Sequence, residues 1–325
     1  MRGILRFGAL LGAACAAAAC GNVSENPGPD APAPPDAPPD APPAVVHRWV
    51  IDNQLVPMNN NQAREYGLDL NGDQVIDNQL GLVIATLSGQ GFDIQAATST
   101  AVARGSILML AEAQLGGSAP TAAMFTMYTG ANPRPAPCNS PTDTTCRRHL
   151  GGTGMFDLAP GSARDLPLGG TILSNTLTAG PGHLQVALLF GFGGAAPVVL
   201  DLIGAHVRLQ LVSANAVGQS VIAGAISQSQ VDTRLLPAIH QTASAVEMAD
   251  CPGTAPPDCG CAIGSDGKTY LGLFDTMPKD CVITLDEIRN NSLIKSLLAP
   301  DMLIEGQAAL SVGFAVTAVK ATFTP

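Results

Sequence analysis

His206-Val207-Arg208-Leu209-Gln210-Leu211 alternates apolar and polar side chains with a period of two. Successive side chains of a strand point to opposite faces, so this run reads as a strand with one wet and one buried face. Similar short apolar or alternating runs surround it, at 106–113, 122–128, 171–178, 183–190, 197–203 and 219–226, each bounded by Gly, Pro, Asn or Asp. Turns such as Ala179-Gly180-Pro181-Gly182 divide them. Strands at this spacing predict a β-sandwich or jelly-roll-like core.

Helical spacing appears on either side of the strand-rich region. Residues 61–66, 77–87 and 93–104 predict three short helices, the second carrying Leu80, Val83, Ile84 and Leu87 on one face. His47-Arg48-Trp49-Val50-Ile51 is a brief strand-like run before them, limited by Pro57, and Trp49 stands outside the strand-rich region. Residues 228–250 read as a helix that Pro237 interrupts, 284–298 as another, and 307–323 as a closing strand or strand pair. The expected fold class is therefore α+β: a sheet core flanked by short helices, with an N-terminal helix-loop-helix. A helical segment at 46–105 is continuous with a β-rich domain at 106–325 that ends in C-terminal helices.

The chain has 325 residues, 46% of them apolar and only 13% charged, against a usual charged share of about 25%. Disorder throughout is excluded, since it needs low hydrophobicity and high charge. Sixteen basic residues against 26 acidic ones give a net charge of −10. No basic stripe is offered to a phosphate backbone, so nucleic acid is not an expected partner.

The N-terminus explains part of this composition. Arg2 and Arg6 precede an apolar alanine-rich run that ends at Cys20. A charged start, an apolar stretch and small residues define an export signal, expected at 1–19. Ala17-Ala18-Ala19-Cys20-Gly21 resembles the lipobox of bacterial lipoproteins, with Ala17 where leucine is commoner, and Cys15 is a second candidate. The resemblance implies lipidation of Cys20 and a membrane attachment through that lipid. Gly21 and Asn22, in place of an Asp after the cysteine, imply the outer membrane of a Gram-negative envelope. Residues 20–45 then run through a Pro, Ala and Asp repeat whose fixed φ and missing amide donors predict an extended spacer. A membrane-spanning barrel is not expected, because one Trp, three Tyr and nine Phe are too few for aromatic girdles.

Six further cysteines remain: Cys138, Cys146, Cys251, Cys259, Cys261 and Cys281. An even number in an oxidising compartment predicts disulfides. Cys138 and Cys146 bracket a polar loop and are expected to close it. The other four leave their pairing open, with a four-thiolate zinc site as the alternative.

One constellation carries ion chemistry: Asp69-Leu70-Asn71-Gly72-Asp73-Gln74-Val75-Ile76-Asp77. Side-chain oxygens at alternate positions, then a carbonyl, then another acid, suit a hard cation of the size of Ca2+. The stretch resembles the calcium loops of EF-hands, dockerins and thrombospondin type-3 repeats. That resemblance implies Asp69, Asn71, Asp73, the Val75 carbonyl and Asp77 as ligands of the first, third, fifth, seventh and ninth positions. Gln74 replaces the glycine of the sixth position and Leu80 the bidentate carboxylate of the twelfth, so weak, extracellular-scale affinity is implied. The alternative is an acidic turn whose side chains cap the helix.

Residues 280–287 align with 73–80 and supply a twelfth-position acid, Glu287, but have Thr276 and Pro278 at the first and third positions. Thr284 and Glu287 also form the pattern of a helix capping box. Either reading is open: a cap, or a second loop packed beside the first with Ile283 near Ile76. The hexapeptide 75–80 also recurs at 50–55, where no acidic run precedes it.

No nucleophile elbow, zinc-binding helix or phosphate loop occurs, and the five histidines are dispersed. Gly191-Phe192-Gly193-Gly194-Ala195-Ala196 fits a loose dinucleotide fingerprint, but Pro197 onward reads as a strand, so a hairpin turn is expected. The expected function is that of a lipid-anchored, non-enzymatic envelope protein with bound calcium in a structural or ligand-binding role. A carbohydrate-recognition or adhesion module, meeting an envelope glycan or protein, and a hydrolase without a visible motif are the alternatives.

Overall fold

The computed structural model describes residues 43–89, 93–117, 119–190, 196–253, 255–276 and 278–325. The export signal, Cys20, most of the spacer and residues 191–195 of the turn expected at 191–196 lie outside them.

Among the described residues eleven strands follow in order: β1 (Val45–Leu55), β2 (Met109–Leu115), β3 (Ala122–Arg134), β4 (Gly154–Leu158), β5 (Leu168–Leu173), β6 (Thr176–Ala179), β7 (Leu184–Leu188), β8 (Val198–Ser213), β9 (Ala216–Ser227), β10 (Met302–Ile304) and β11 (Gln307–Thr322). Eight of them, β1, β2, β3, β5, β6, β8, β9 and β11, are each antiparallel to the next. β11 also pairs with β1. The α+β, sandwich-like architecture is thus present, and the β1–β11 and β3–β5 pairs join its edges. The result is an up-and-down meander in which neither edge is left open, as an exposed strand edge would be. β4, β7 and β10 attach to β3, β8 and β11.

Register fixes which side chains share a face. Trp49 stands opposite Ala111 and Ala111 opposite Met127; Phe125 faces Leu168, Leu177 faces Leu209, and Ile222 faces both Val207 and Phe314. None of these ten is more than 3% exposed. Filling the ring with large apolar side chains is how a small barrel makes a core. Trp49 therefore belongs to the sheet, contrary to the sequence reading. β1 is longer than expected, continuing past a register shift between Ile51 and Asn53.

Two other boundaries differ. The run 171–178 is a hairpin, β5 and β6, turning at Ser174 and Asn175, both with positive φ. The runs 197–203 and 206–212 are one strand, β8, which shifts register between Ile203 and His206.

Eight α-helices accompany the sheet among the described residues: α1 (Asn60–Glu65), α2 (Gln79–Gly89), α3 (Ile94–Ala103), α4 (Gln228–Gln230), α5 (Leu236–Asp250), α6 (Asp266–Phe274), α7 (Leu285–Asn290) and α8 (Ser292–Leu297). A π turn at Val231–Leu235 joins α4 to α5 just before Pro237, whose missing N–H accommodates the wider turn. α2 packs on β11 and α3 on β1, and α8 reaches α2, so helices from both ends of the chain form one layer. No helix among the described residues is long and apolar enough to cross a membrane.

Candidate calcium loop

The loop between α1 and α2 is built by its own side chains. Asn59 caps α1 by accepting from Gln62 N, and the helix ends at Tyr66. Asp77 N then donates to Leu68 O at 3.0 Å, closing the base of the loop as an isolated bridge. Within it Asp69 Oδ1 accepts from Gly72 N (2.7 Å) and Oδ2 from Gln74 N (2.9 Å). Asn71 Oδ1 accepts from Asp73 N, Asp73 Oδ1 from Val75 N, and Asp77 Oδ2 from Leu70 N. Such short-range bonds are what Asp and Asn offer a tight turn.

The sixth position takes the left-handed turn even without glycine, with Gln74 at φ 69°. A residue with a Cβ bears a conformational cost there. At the twelfth position Leu80 is buried in the main core, so no carboxylate completes the far side. Asp69, Asn71, Asp73, the Val75 carbonyl and Asp77 offer oxygen at the positions a Ca2+ loop uses, with water left to complete six to eight ligands. Their carboxylates are turned toward amides: among the described residues no three His, Cys, Asp or Glu side chains gather as a metal-holding set.

Electrostatics favour a cation. Burial works against ionisation of Asp69, but the amides of Gln74 and Gly72 outweigh it and hold its carboxyl below the usual range. Asp77 is shifted upward by burial and by the charges of Asp73, Asp301 and Asp69, against the Leu70 amide. None of the ion pairs among the described residues involves Asp69, Asp73 or Asp77.

Distant contacts hold the loop to the barrel. Leu68 and Leu70 join Val221, Ala223, Ala225, Met302 and Ile304 in a second apolar cluster on the outer face of β9. Asn78, 5% exposed, donates to Ala63 O and Gly313 O and accepts from Gly81 N and Gly313 N. Gly313 has no room for a side chain, since a Cβ would lie 2.3 Å from Tyr66 O. Gln79 N donates to Ser311 Oγ, which donates to Asp301. Sequence reasoning missed Asn78, Asp301, Ser311 and Gly313 as parts of this site. The bonds that tie the loop to β11, Asn78 to Gly313 and Gln79 to Ser311, span 235 and 232 residues, and no local pattern marks them.

Residues 275–276 and 278–284 make a related turn between α6 and α7. Asp275 accepts from Asp280 N and Cys281 N, Asp280 accepts from Val282 N, and Cys281 has φ 66°. Asp275, not Thr276, takes the leading role, one residue earlier than the alignment placed it. The capping box is formed: Thr284 and Glu287 bond each other's amides, and Glu287 Oε1 also accepts from Thr276 N and Oγ. The side-by-side pairing is not. Ile283 is buried, its carbonyl meeting His240 and Ser244 of α5, whereas Ile76 is exposed beside Gly67. Nearby, Glu247 is pushed upward by burial and by the Asp275 charge.

The six cysteines pair as Cys138–Cys146, Cys251–Cys261 and Cys259–Cys281. The zinc alternative is thereby corrected, since all four sulfurs of the C-terminal group are in disulfides.

Two other arrangements bear on the alternatives. His240 Nε2 lies 3.2 Å from Ser244 Oγ and 2.9 Å from Ile283 O, but no acid hydrogen-bonds His240 among the described residues. His149 is fully buried, and burial, then Arg147, depress it to about 4. A polar recess of about 200 Å³ on the sheet is lined by Glu65, Thr176, Arg208, Gln210, Gln219, Ser220 and Val221. None of the described residues that line it is aromatic, so they offer no ring on which a sugar could stack. Comparison with known protein families, with curated proteins and with solved structures finds no match. Only the geometry of the chain bears on its role.

Proposed function

We propose that the chain is a lipid-tethered, non-enzymatic protein of the cell envelope whose folded domain takes one Ca2+ in the Asp69–Asp77 loop. The ion supports a structural or ligand-binding role. Asp69, Asn71, Asp73 and Asp77 present side-chain oxygens and Val75 its carbonyl, and water completes the shell. The chemistry the ion would supply is electrostatic: it would neutralise the carboxylates of Asp69, Asp73 and Asp77, which make no ion pair among the described residues. The observation that carries this reading is a preformed turn, positive φ at Gln74 included, fixed to β11 through Asn78. A fixed turn lowers the ordering cost of binding.

The ion is tested by thermal unfolding with and without Ca2+. The tether is tested by Cys20→Ser in a bacterial host: release of the protein from the membrane fraction supports it, and retention contradicts it.

A further inference from the structure

We propose that the helical layer binds one hydrocarbon chain of a lipid, its polar head remaining at the rim in water. A cavity of about 260 Å³ lies between α2, α3, α5, α6 and α8. Leu80, Ile84, Leu235, Ala243, Phe274 and Leu298 form its buried floor, and Thr86, Leu273 and Leu293 lie exposed at its edge. Protein interiors hold few voids larger than a water molecule. An apolar cavity of about 150 Å³ stays dry and accepts benzene, so by proportion this one accommodates about ten heavy atoms.

The lining chooses the ligand. None of the described residues that line the cavity is charged, so a carboxylate or phosphate would find no partner inside. The hydroxyl of Thr242 is spent on Phe190 O. The medium is apolar enough that burial, then Asp266, raises the Tyr270 phenol to about 12. Area argues against a protein partner: the exposed lining is well below the roughly 800 Å² per side that a stable interface buries. What fits is a slender, uncharged chain with its head outside.

The test uses the full chain as the Cys20→Ser variant, purified without detergent. Mass spectrometry of an organic extract should find acyl lipid at about one chain per protein. After delipidation, 1-decanol should bind with a stoichiometry of one by calorimetry and raise the melting temperature, whereas 1,2-hexanediol should do neither. Ala243→Phe fills the floor and should abolish decanol binding, and Val83→Phe serves if that variant does not fold. Absence of decanol binding overturns the proposal. So does equal binding by a folded filled variant, or a dimer in solution that decanol dissociates, which would make a second copy the occupant.

Discussion

Two loops of this protein make the same turn and are fixed by different means. In 69–77 and in 275–284 an early Asp accepts the amide of a residue with positive φ, Gln74 or Cys281, and a second Asp accepts an amide two residues on. The N-terminal loop is held by tertiary hydrogen bonds from Asn78 to β11 and by Leu70 on β9. The C-terminal loop is held covalently through Cys259–Cys281, and its acid Glu287 is consumed by Thr276 and Thr284. The difference separates turn geometry from ion binding. On the function proposed above, the loop whose carboxylates answer only amides near in sequence takes the ion, while the one whose Glu287 already caps a helix takes none.

The largest expected effect is on the N-terminal anchor. Asn78→Ala leaves the buried N–H and C=O of Gly313 unpaired, at roughly 1–3 kcal/mol for each orphaned group. Urea unfolding should show a loss of about 4 kcal/mol. A loss below about 1 kcal/mol would mean that Leu68 and Leu70 alone suffice. On the other side, removing Cys259 and Cys281 together as serines opens a span of 22 residues, which should cost about 3 kcal/mol. That variant should keep its calcium response, because the two loops occupy different apolar clusters.

Two acids beside these loops differ in the sign of their pH dependence, Asp69 in the first and Glu247 of α5, which packs near the second. Asp69 is held below the usual range, so its contribution is present above the unfolded pKa and fades as pH falls through the folded one. Glu247 is held above the usual range beside Asp275, so its penalty is absent at pH 4 and grows as pH rises through the folded pKa. Glu247→Gln should therefore raise the melting temperature at pH 7 and leave it unchanged at pH 4; a loss at pH 7 would mean that the carboxylate has a stabilising partner. The smallest effect is expected from Gln74→Gly, which relieves the left-handed turn at the cost of a more flexible unfolded chain. The net gain should be about 0.5 kcal/mol, read by the same urea titration, and a loss would show that the Gln74 side chain contributes to the turn.

How far the sequence could be read is clearest in the repeated hexapeptide. Val50-Ile51-Asp52-Asn53-Gln54-Leu55 runs along β1, whereas the same residues at 75–80 leave a loop and open α2. Tertiary partners decide: Asn53 bonds Thr317 and Asn78 bonds Gly313, both on β11. Alternation revealed β8 at 206–211 because a half-buried strand shows its period in the chain. The ring closure was hidden, since β1 meets β11 across most of the chain length. The acidic loop was legible because its bonds run over two to seven residues, and its anchors were not. α6 escaped because Asp266–Phe274 carries only a few apolar positions and sits between cysteines.

The measurement that tests the account most directly is the melting temperature of the parent protein and of Asp69→Ala with Asp73→Ala, each with 10 mM Ca2+ and with chelator. A site of about 10⁻⁴ to 10⁻³ M stabilises the parent by about 1.4–2.7 kcal/mol at that concentration, a rise of several degrees. The account predicts that rise in the parent and none in the double variant. A parent protein indifferent to calcium, or a double variant that responds equally, would contradict it.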